Sequence, residues 1–267
     1  MEKISKNKIR ESVMENYKNV ALSNEELENN ESEYCCKSKS NNYNNISGNL
    51  GYSSEECEIV PEGSNLGLGC GNPQAIASLK EGHTVLDLGS GGGFDCFLAS
   101  KSVGDTGKVI GVDMTPEMIS LARNNAKKGN FMNTEFRLGE IEHLPVADSS
   151  IDVIISNCVI NLSPEKEEVF AEAFRVLKPC GRLAISDIVL FRPLTDDLKY
   201  HPSLYSGCVS GASSVEELKV ILHNSGFNKI KIEPKHKSKE FIKDWFPGKA
   251  IEDYIVSATI EAVKNCN

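Results

Sequence analysis

The chain has 267 residues, 40% of them apolar, enough to bury one large core with a smaller appended lobe. A formal charge of −9 with no cluster of basic residues excludes a phosphate-neutralising surface, so no nucleic-acid partner is expected. No run approaches the roughly 18 apolar residues of a membrane span, and the opening MEKISKNKIR lacks a signal-peptide core. No membrane partner and a cytoplasmic location are expected, and a reducing compartment would keep the nine cysteines free.

Taken in chain order, Ile9, Val13, Tyr17 and Val20 recur at helical spacing and predict a helix over residues 8–21. Residues 23–58 are rich in Asn, Ser and Glu and poor in large aliphatics, which predicts a loosely ordered arm carrying Cys35, Cys36 and Cys57. Asn72-Pro73 signals a helix start. Strands and helices then alternate: 84–88, 93–103, 109–113, 116–128, 134–138, 152–156, 164–177 and 182–188. Such alternation implies parallel strands joined by right-handed crossovers, an α/β class. Residues 189–211 break the pattern with two prolines and a glycine-flanked Cys208, and read as a cover over a substrate site. Ser213 and Ser214 offer two overlapping capping boxes for a further helix closed by Gly226, and 229–232 and 254–259 are late strands. The division predicted is an arm over 1–64, a ligand-binding core over 65–190, and a covering C-terminal segment over 191–267.

The run VLDLGSGGGFD, residues 85–95, is a short buried strand that breaks into a glycine-rich turn before a helix. Ligands in open α/β sheets bind at the carboxyl ends of strands. The spacing is wrong for a dinucleotide fingerprint, because Phe94 stands where the last glycine belongs. Asp87, Gly89, Gly91 and Gly93 instead make D-x-G-x-G-x-G, which resembles the first motif of S-adenosylmethionine-dependent methyltransferases with the Rossmann-like fold. Asp113, at the end of the next apolar run, can accept both ribose hydroxyls.

Three cysteines fall where a substrate could reach them. Cys158 follows the strand expected beside the glycine loop, Cys70 sits between glycines, and Cys208 lies in the covering segment. Converged, they would form a soft three-coordinate site for a thiophilic ion. No CxxC pair occurs. Cys96 reads as a buried small hydrophobe, Cys180 as a turn residue beside Gly181, and Cys266 as exposed and idle.

Over about residues 65–266 the chain is similar to arsenite S-adenosylmethionine methyltransferases. The match is carried by GLGCGNP around Cys70, VLDLGSGGGFD, VIGVDMTPEMI around Asp113, SNCVINLSP around Cys158 and YSGCVSGA around Cys208. The resemblance implies a Rossmann-like, doubly wound, mostly parallel sheet with helices on both faces. It implies trivalent arsenic held by Cys70, Cys158 and Cys208, with Cys35 and Cys36 where the family has a further redox-active cysteine. It also implies that Gly89, Ser90 and Gly91 approach the methionine moiety, that Asp87 orders their loop or contacts the amino group through water, and that Met114 packs on the adenine. Glu140, Ile141 and Glu142 would meet the adenine edge, Asn157 the cofactor's amino group, and Tyr17 would lie near the cofactor. Arsenite or its thiol conjugates would be the substrate, and glutathione or thioredoxin the reductant. Two readings compete with this one: methylation of a small organic molecule, and a non-catalytic thiol-based metalloid binder.

Overall fold

The computed structural model describes residues 5–29, 36–199 and 201–266. Helices α1 (Lys6–Asn29), α2 (Cys36–Leu50) and α3 (Ser54–Glu58) precede the one-turn α4 (Gln74–Ala77). The alternating core follows: β1 (Thr84–Leu88), α5 (Phe94–Val103), β2 (Lys108–Asp113), α6 (Pro116–Lys128), β3 (Thr134–Leu138), β4 (Ile151–Asn157), α7 (Lys166–Val176) and β5 (Leu177–Leu190). Short helices α8 (Asp196–Lys199) and α9 (Pro202–Ser206) lead to β6 (Ser213–Ser214), α10 (Val215–Asn224), β7 (Asn228–Lys235), α11 (Lys239–Ile242) and β8 (Ile255–Val263).

One sheet takes the order β3-β2-β1-β4-β5-β8-β7, with β6 beside β5. The strands from β3 to β5 are parallel, and the apolar centres of β1, β2 and β4 suit a sheet covered by helices on both faces. Phe97 of α5, Ile119 of α6 and Phe136 of β3 fill one face, while Phe170 of α7 and Leu218 and Leu222 of α10 fill the other. The expected late strands exist but run antiparallel, β8 inserting between β5 and β7. The segment after residue 190 therefore contributes strands to the same sheet as well as a cover. Of the two possible capping boxes at α10 the second forms: Glu217 N donates to Ser214 Oγ, and Ser214 N to the Glu217 carboxylate.

Within residues 23–58, read from sequence as a loosely ordered arm, α2 and α3 form, and Leu50, Tyr52 and Cys57 pack against Leu98 of α5. Ser53 and Glu56 make a capping box that starts α3. Cys180 is no plain turn residue and Cys266 is not idle, because the two are joined in a disulfide. The unusual backbone angle is at Cys180 itself (φ +66°) rather than at Gly181, and it aims the sulfur at the chain's last described residues. Among the described residues no helix is long and apolar enough to cross a membrane.

Candidate functional site

A cavity of about 400 Å³ opens at the carboxyl ends of β1, β2 and β4. Strand β1 ends in the glycine loop. There the backbone N–H groups of Gly89 and Ser90 both donate to Val112 O, at 2.8 and 3.0 Å, folding the loop back over β2. Gly91 has φ +50°, and a Cβ built on it would meet no protein atom within 4 Å, so this backbone faces open space. Asp113 closes the end of β2. Its Oδ2 accepts from Gly91 N at 3.0 Å and its Oδ1 from Thr115 N at 2.9 Å, and the Thr115 hydroxyl and Met114 backbone also donate to the carboxylate. Burial pushes its pKa up, against the pull of these backbone donors. Ser90 Oγ is buried without a partner, an orphaned group of the kind a polar ligand satisfies.

Across the cavity, Cys70, Cys158 and Cys208 share one buried apolar cluster, exposed by 1%, 9% and 2%. The Cys70 and Cys158 sulfurs lie within 4.8 Å of each other and of an Asp187 carboxylate oxygen. The Cys208 sulfur donates to Cys158 O at 2.9 Å. Loop chemistry brings them there. Gly69 lies so close to Asn157 that a Cβ would come within 2.8 Å of its amide nitrogen, and Asn157 Oδ1 accepts from Cys70 N at 3.0 Å. Cys158 and Cys208 both adopt left-handed backbone (φ +59° and +62°), a costly conformation for a residue with a Cβ and one that gathers at functional sites. Burial raises the Cys70 pKa. At Cys158 the contact with Cys208 works to lower the pKa, but the Cys70 contact and burial outweigh it and leave the thiol well above its ordinary value. Cys208 is raised by its Cys158 contact and then by burial. All three are thiols rather than thiolates in the free protein.

Most of the residues expected from sequence border this one space: Tyr17, Asp87, Gly89, Ser90, Gly91, Asp113, Met114, Ile141, Glu142, Asn157, Cys158 and Cys208. Cys70 lies behind Cys158. Asp87 is buried and accepts the Cys96 S–H at 3.2 Å; burial and the nearby Asp95 push its pKa well up. Asn157 is committed to protein partners, donating to Gly71 O (2.8 Å) and Tyr52 Oη (3.0 Å) besides accepting from Cys70 N. Glu142 is likewise engaged, by Ser163 Oγ at 2.6 Å and Arg10 at 3.2 Å. Glu140 stands outside the cavity; it is exposed and borders a second hollow with Met14 and Leu138. Cys35 lies outside the described residues, and Cys36 opens α2.

Residues 79–226 match a family described as a methyltransferase domain. The chain is 57% identical over 215 residues to an arsenite methyltransferase of Halobacterium salinarum, which covers 80% of this chain and 55% of the relative. It is 43% identical over 177 residues to an arsenite methyltransferase of Aquipseudomonas alcaligenes, with 64% and 51% covered. The crystal structure of an arsenic (III) S-adenosylmethionine methyltransferase from Chlamydomonas reinhardtii superposes with a TM-score of 0.62 at 35% identity, covering 82% of this chain and 73% of that one. The chain belongs to the arsenite methyltransferase family. It spans about half the length of the curated relatives it matches.

Some of the groups that organise this arsenite methyltransferase fold around its cavity were not foreseen. Tyr52 donates to Asp95 at 2.9 Å, and Gln74 donates to the same carboxylate at 3.2 Å, tying α3's approach and α4 to α5. Burial pushes Asp95 up to about 6 despite these donors. Arg10 of α1 pairs with Glu142 and Glu165, pinning α1 so that Val13 and Tyr17 wall the cavity. No burial signal was legible for Tyr52, which lies two residues beyond Leu50 and six beyond Ile46, off the helical repeat. Asp187, the carboxylate beside the sulfurs, had no such signal.

Proposed function

We propose that this chain transfers methyl groups from S-adenosylmethionine to trivalent arsenic, taken as arsenite or its thiol conjugates and held by Cys70, Cys158 and Cys208. One observation carries the reading: three buried thiols from distant segments share one cluster at a cavity that Cys158 and Cys208 border and whose other wall is the glycine loop and Asp113. The orphaned Ser90 Oγ, the open face of Gly91 and the Asp113 carboxylate bordering the cavity fit the cofactor's polar groups, with Asp113 on the ribose and Met114 and Ile141 against the adenine. When bound, S-adenosylmethionine supplies an electron-poor methyl on a sulfonium. Residues 65–190 would carry this binding, with 1–64 and 191–267 closing the walls.

Loading the substrate needs no base. Each thiol proton leaves with one arsenite hydroxide as water, so three thiols replace three hydroxyls with no net proton change. High thiol pKa values therefore do not oppose binding. Trivalent arsenic on three sulfurs is pyramidal and keeps a lone pair opposite them, which is the nucleophile. The protein's contribution is position at about 3–3.5 Å and exclusion of water by Tyr17, Trp245 and Phe246. Methyl transfer raises arsenic formally to the pentavalent state. Two electrons must return before another transfer, and we assign them to glutathione, thioredoxin or the Cys35–Cys36 pair, in a cytoplasmic setting.

The test is conversion of arsenite to methylarsenite, dependent on S-adenosylmethionine, in the wild type and in Cys70→Ser, Cys158→Ser and Cys208→Ser. Each substitution should abolish turnover. Full activity in all three would end the thiol-site reading, and turnover of an organic acceptor in its place would make that the substrate.

A further inference from the structure

Asp187 of β5 is 2% exposed, and the methyl-transfer chemistry above leaves it unused. Its Oδ1 accepts from Asn161 Nδ2 at 2.9 Å and from Ile188 N at 2.7 Å, which fills both lone pairs. Its Oδ2 accepts from Ile160 N at 2.9 Å, and the Asn161 backbone N–H also donates to the carboxylate. One carboxylate oxygen and the sulfurs of Cys70 and Cys158 all lie within 4.8 Å of one another. Cys208 touches Cys158 but is not in that mutually close group, and its S–H is turned to Cys158 O.

Two sulfurs and a carboxylate oxygen are a donor set for a divalent cation of the zinc or cadmium kind, which takes four ligands in a tetrahedron and accepts sulfur and oxygen alike. Zinc–sulfur bonds of about 2.3 Å set tetrahedral sulfurs about 3.8 Å apart, so the two sulfurs need to approach by no more than about 1 Å. Trivalent arsenic, three-coordinate and pyramidal, calls for a third sulfur and no oxygen.

We infer that Cys70 and Cys158 are shared between two overlapping donor sets: with Cys208 they hold trivalent arsenic, and with Asp187 they hold a thiophilic divalent cation. Water from the cavity, which Cys158 borders, completes the tetrahedron. The Cys70 and Cys158 protons pass to solvent as the cation binds, Asp187 enters as a carboxylate, and no electrons move. The centre so formed carries one net negative charge and excludes arsenic from the site. The arsenic half rests on the function proposed above; the cation half does not.

Cadmium ion alone, titrated into the reduced full-length chain, reports binding through thiolate-to-metal charge-transfer absorption. The Cys70→Ser/Cys158→Ser double variant gives the background from other cysteines. The wild type should show one site above that background, and cadmium should block arsenite binding competitively. Asp187→Asn should weaken cadmium by about tenfold or more while still binding arsenite. Cys208→Ser should do the reverse, keeping cadmium and losing arsenite. Circular dichroism checks that Asp187→Asn folds; if it does not, Cys208→Ser decides alone. No wild-type site, an Asp187→Asn affinity equal to wild type, or joint loss of both ligands in Cys208→Ser would each overturn the inference. Cadmium binding as described in a chain that never binds arsenite would sink the arsenic reading and leave this one standing.

Discussion

Replacing Asn157 by alanine removes the clamp between β4 and the Cys70 loop. The side chain accepts from Cys70 N at 3.0 Å and donates to Gly71 O at 2.8 Å and Tyr52 Oη at 3.0 Å. Tyr52 retains Asp95 as a partner, so that loss is small. The Cys70 N–H and Gly71 carbonyl belong to buried residues and are left without these bonds. Each stranded group costs about 1–3 kcal/mol, which gives about 3 kcal/mol together, a large part of a typical 5–15 kcal/mol total. Urea unfolding should show a midpoint lowered by about 1 M at unchanged slope. Arsenite affinity should drop about tenfold, since the Cys70 loop must then be ordered by the ligand. A stability loss below about 0.5 kcal/mol, or unchanged arsenite affinity, would refute the claim that this amide positions the thiol.

Gly91→Ala should lower S-adenosylmethionine affinity at least about tenfold, measured by equilibrium dialysis, with a stability cost near 1 kcal/mol from its left-handed backbone. Undiminished affinity would remove Gly91 from the cofactor wall. The Cys180–Cys266 bond closes a separation of 86 residues, worth up to about 4–5 kcal/mol of chain entropy, so Cys180→Ser should lower the melting temperature only under oxidising conditions. Equal melting of oxidised and reduced wild type would show the thiols unbonded in solution. Burial holds Asp95 at about 6 in the fold, against about 3.9 for a free aspartate. The folded state thus binds this proton more tightly, and its contribution is full below about pH 4 and lost as pH rises through about 6. Asp95→Asn should flatten that decline in a thermal-melt series.

The bounds of β1, α6 and β3 stand in the structure as the sequence predicts them: β1 is an apolar run, α6 starts at Pro116 with buried residues at helical spacing and stops before Gly129, and β3 alternates Phe136 and Leu138 with polar residues. Helix α2 was missed for the opposite reason. CKSKSNNYNNISGNL carries few aliphatics, and what holds it is Ile46 and Leu50 packing on the body, a tertiary effect. The Ser53–Glu56 capping box was the local sign available there. The glycine loop and Asp113 were legible from spacing, whereas the meeting of three cysteines followed only from resemblance, since nothing local relates residues 70, 158 and 208. The antiparallel insertion of β8 was hidden too, because a strand buried on both faces reads the same in either direction. Asp187 could not be told from any polar strand residue until Ile160 and Asn161 were seen to converge on it.

Ser257, on β8, donates its hydroxyl to Cys70 O at 2.6 Å, and β8 enters the sheet between two strands made before it. A ribosome must therefore have passed codon 257, and released enough polypeptide for that strand to slot in, before the first thiol gains its last support. Chains stopped before β8 would hold Cys70, Cys158 and Cys208 but lack the hydroxyl that braces the first of them, so any site the three form together would be completed late in synthesis.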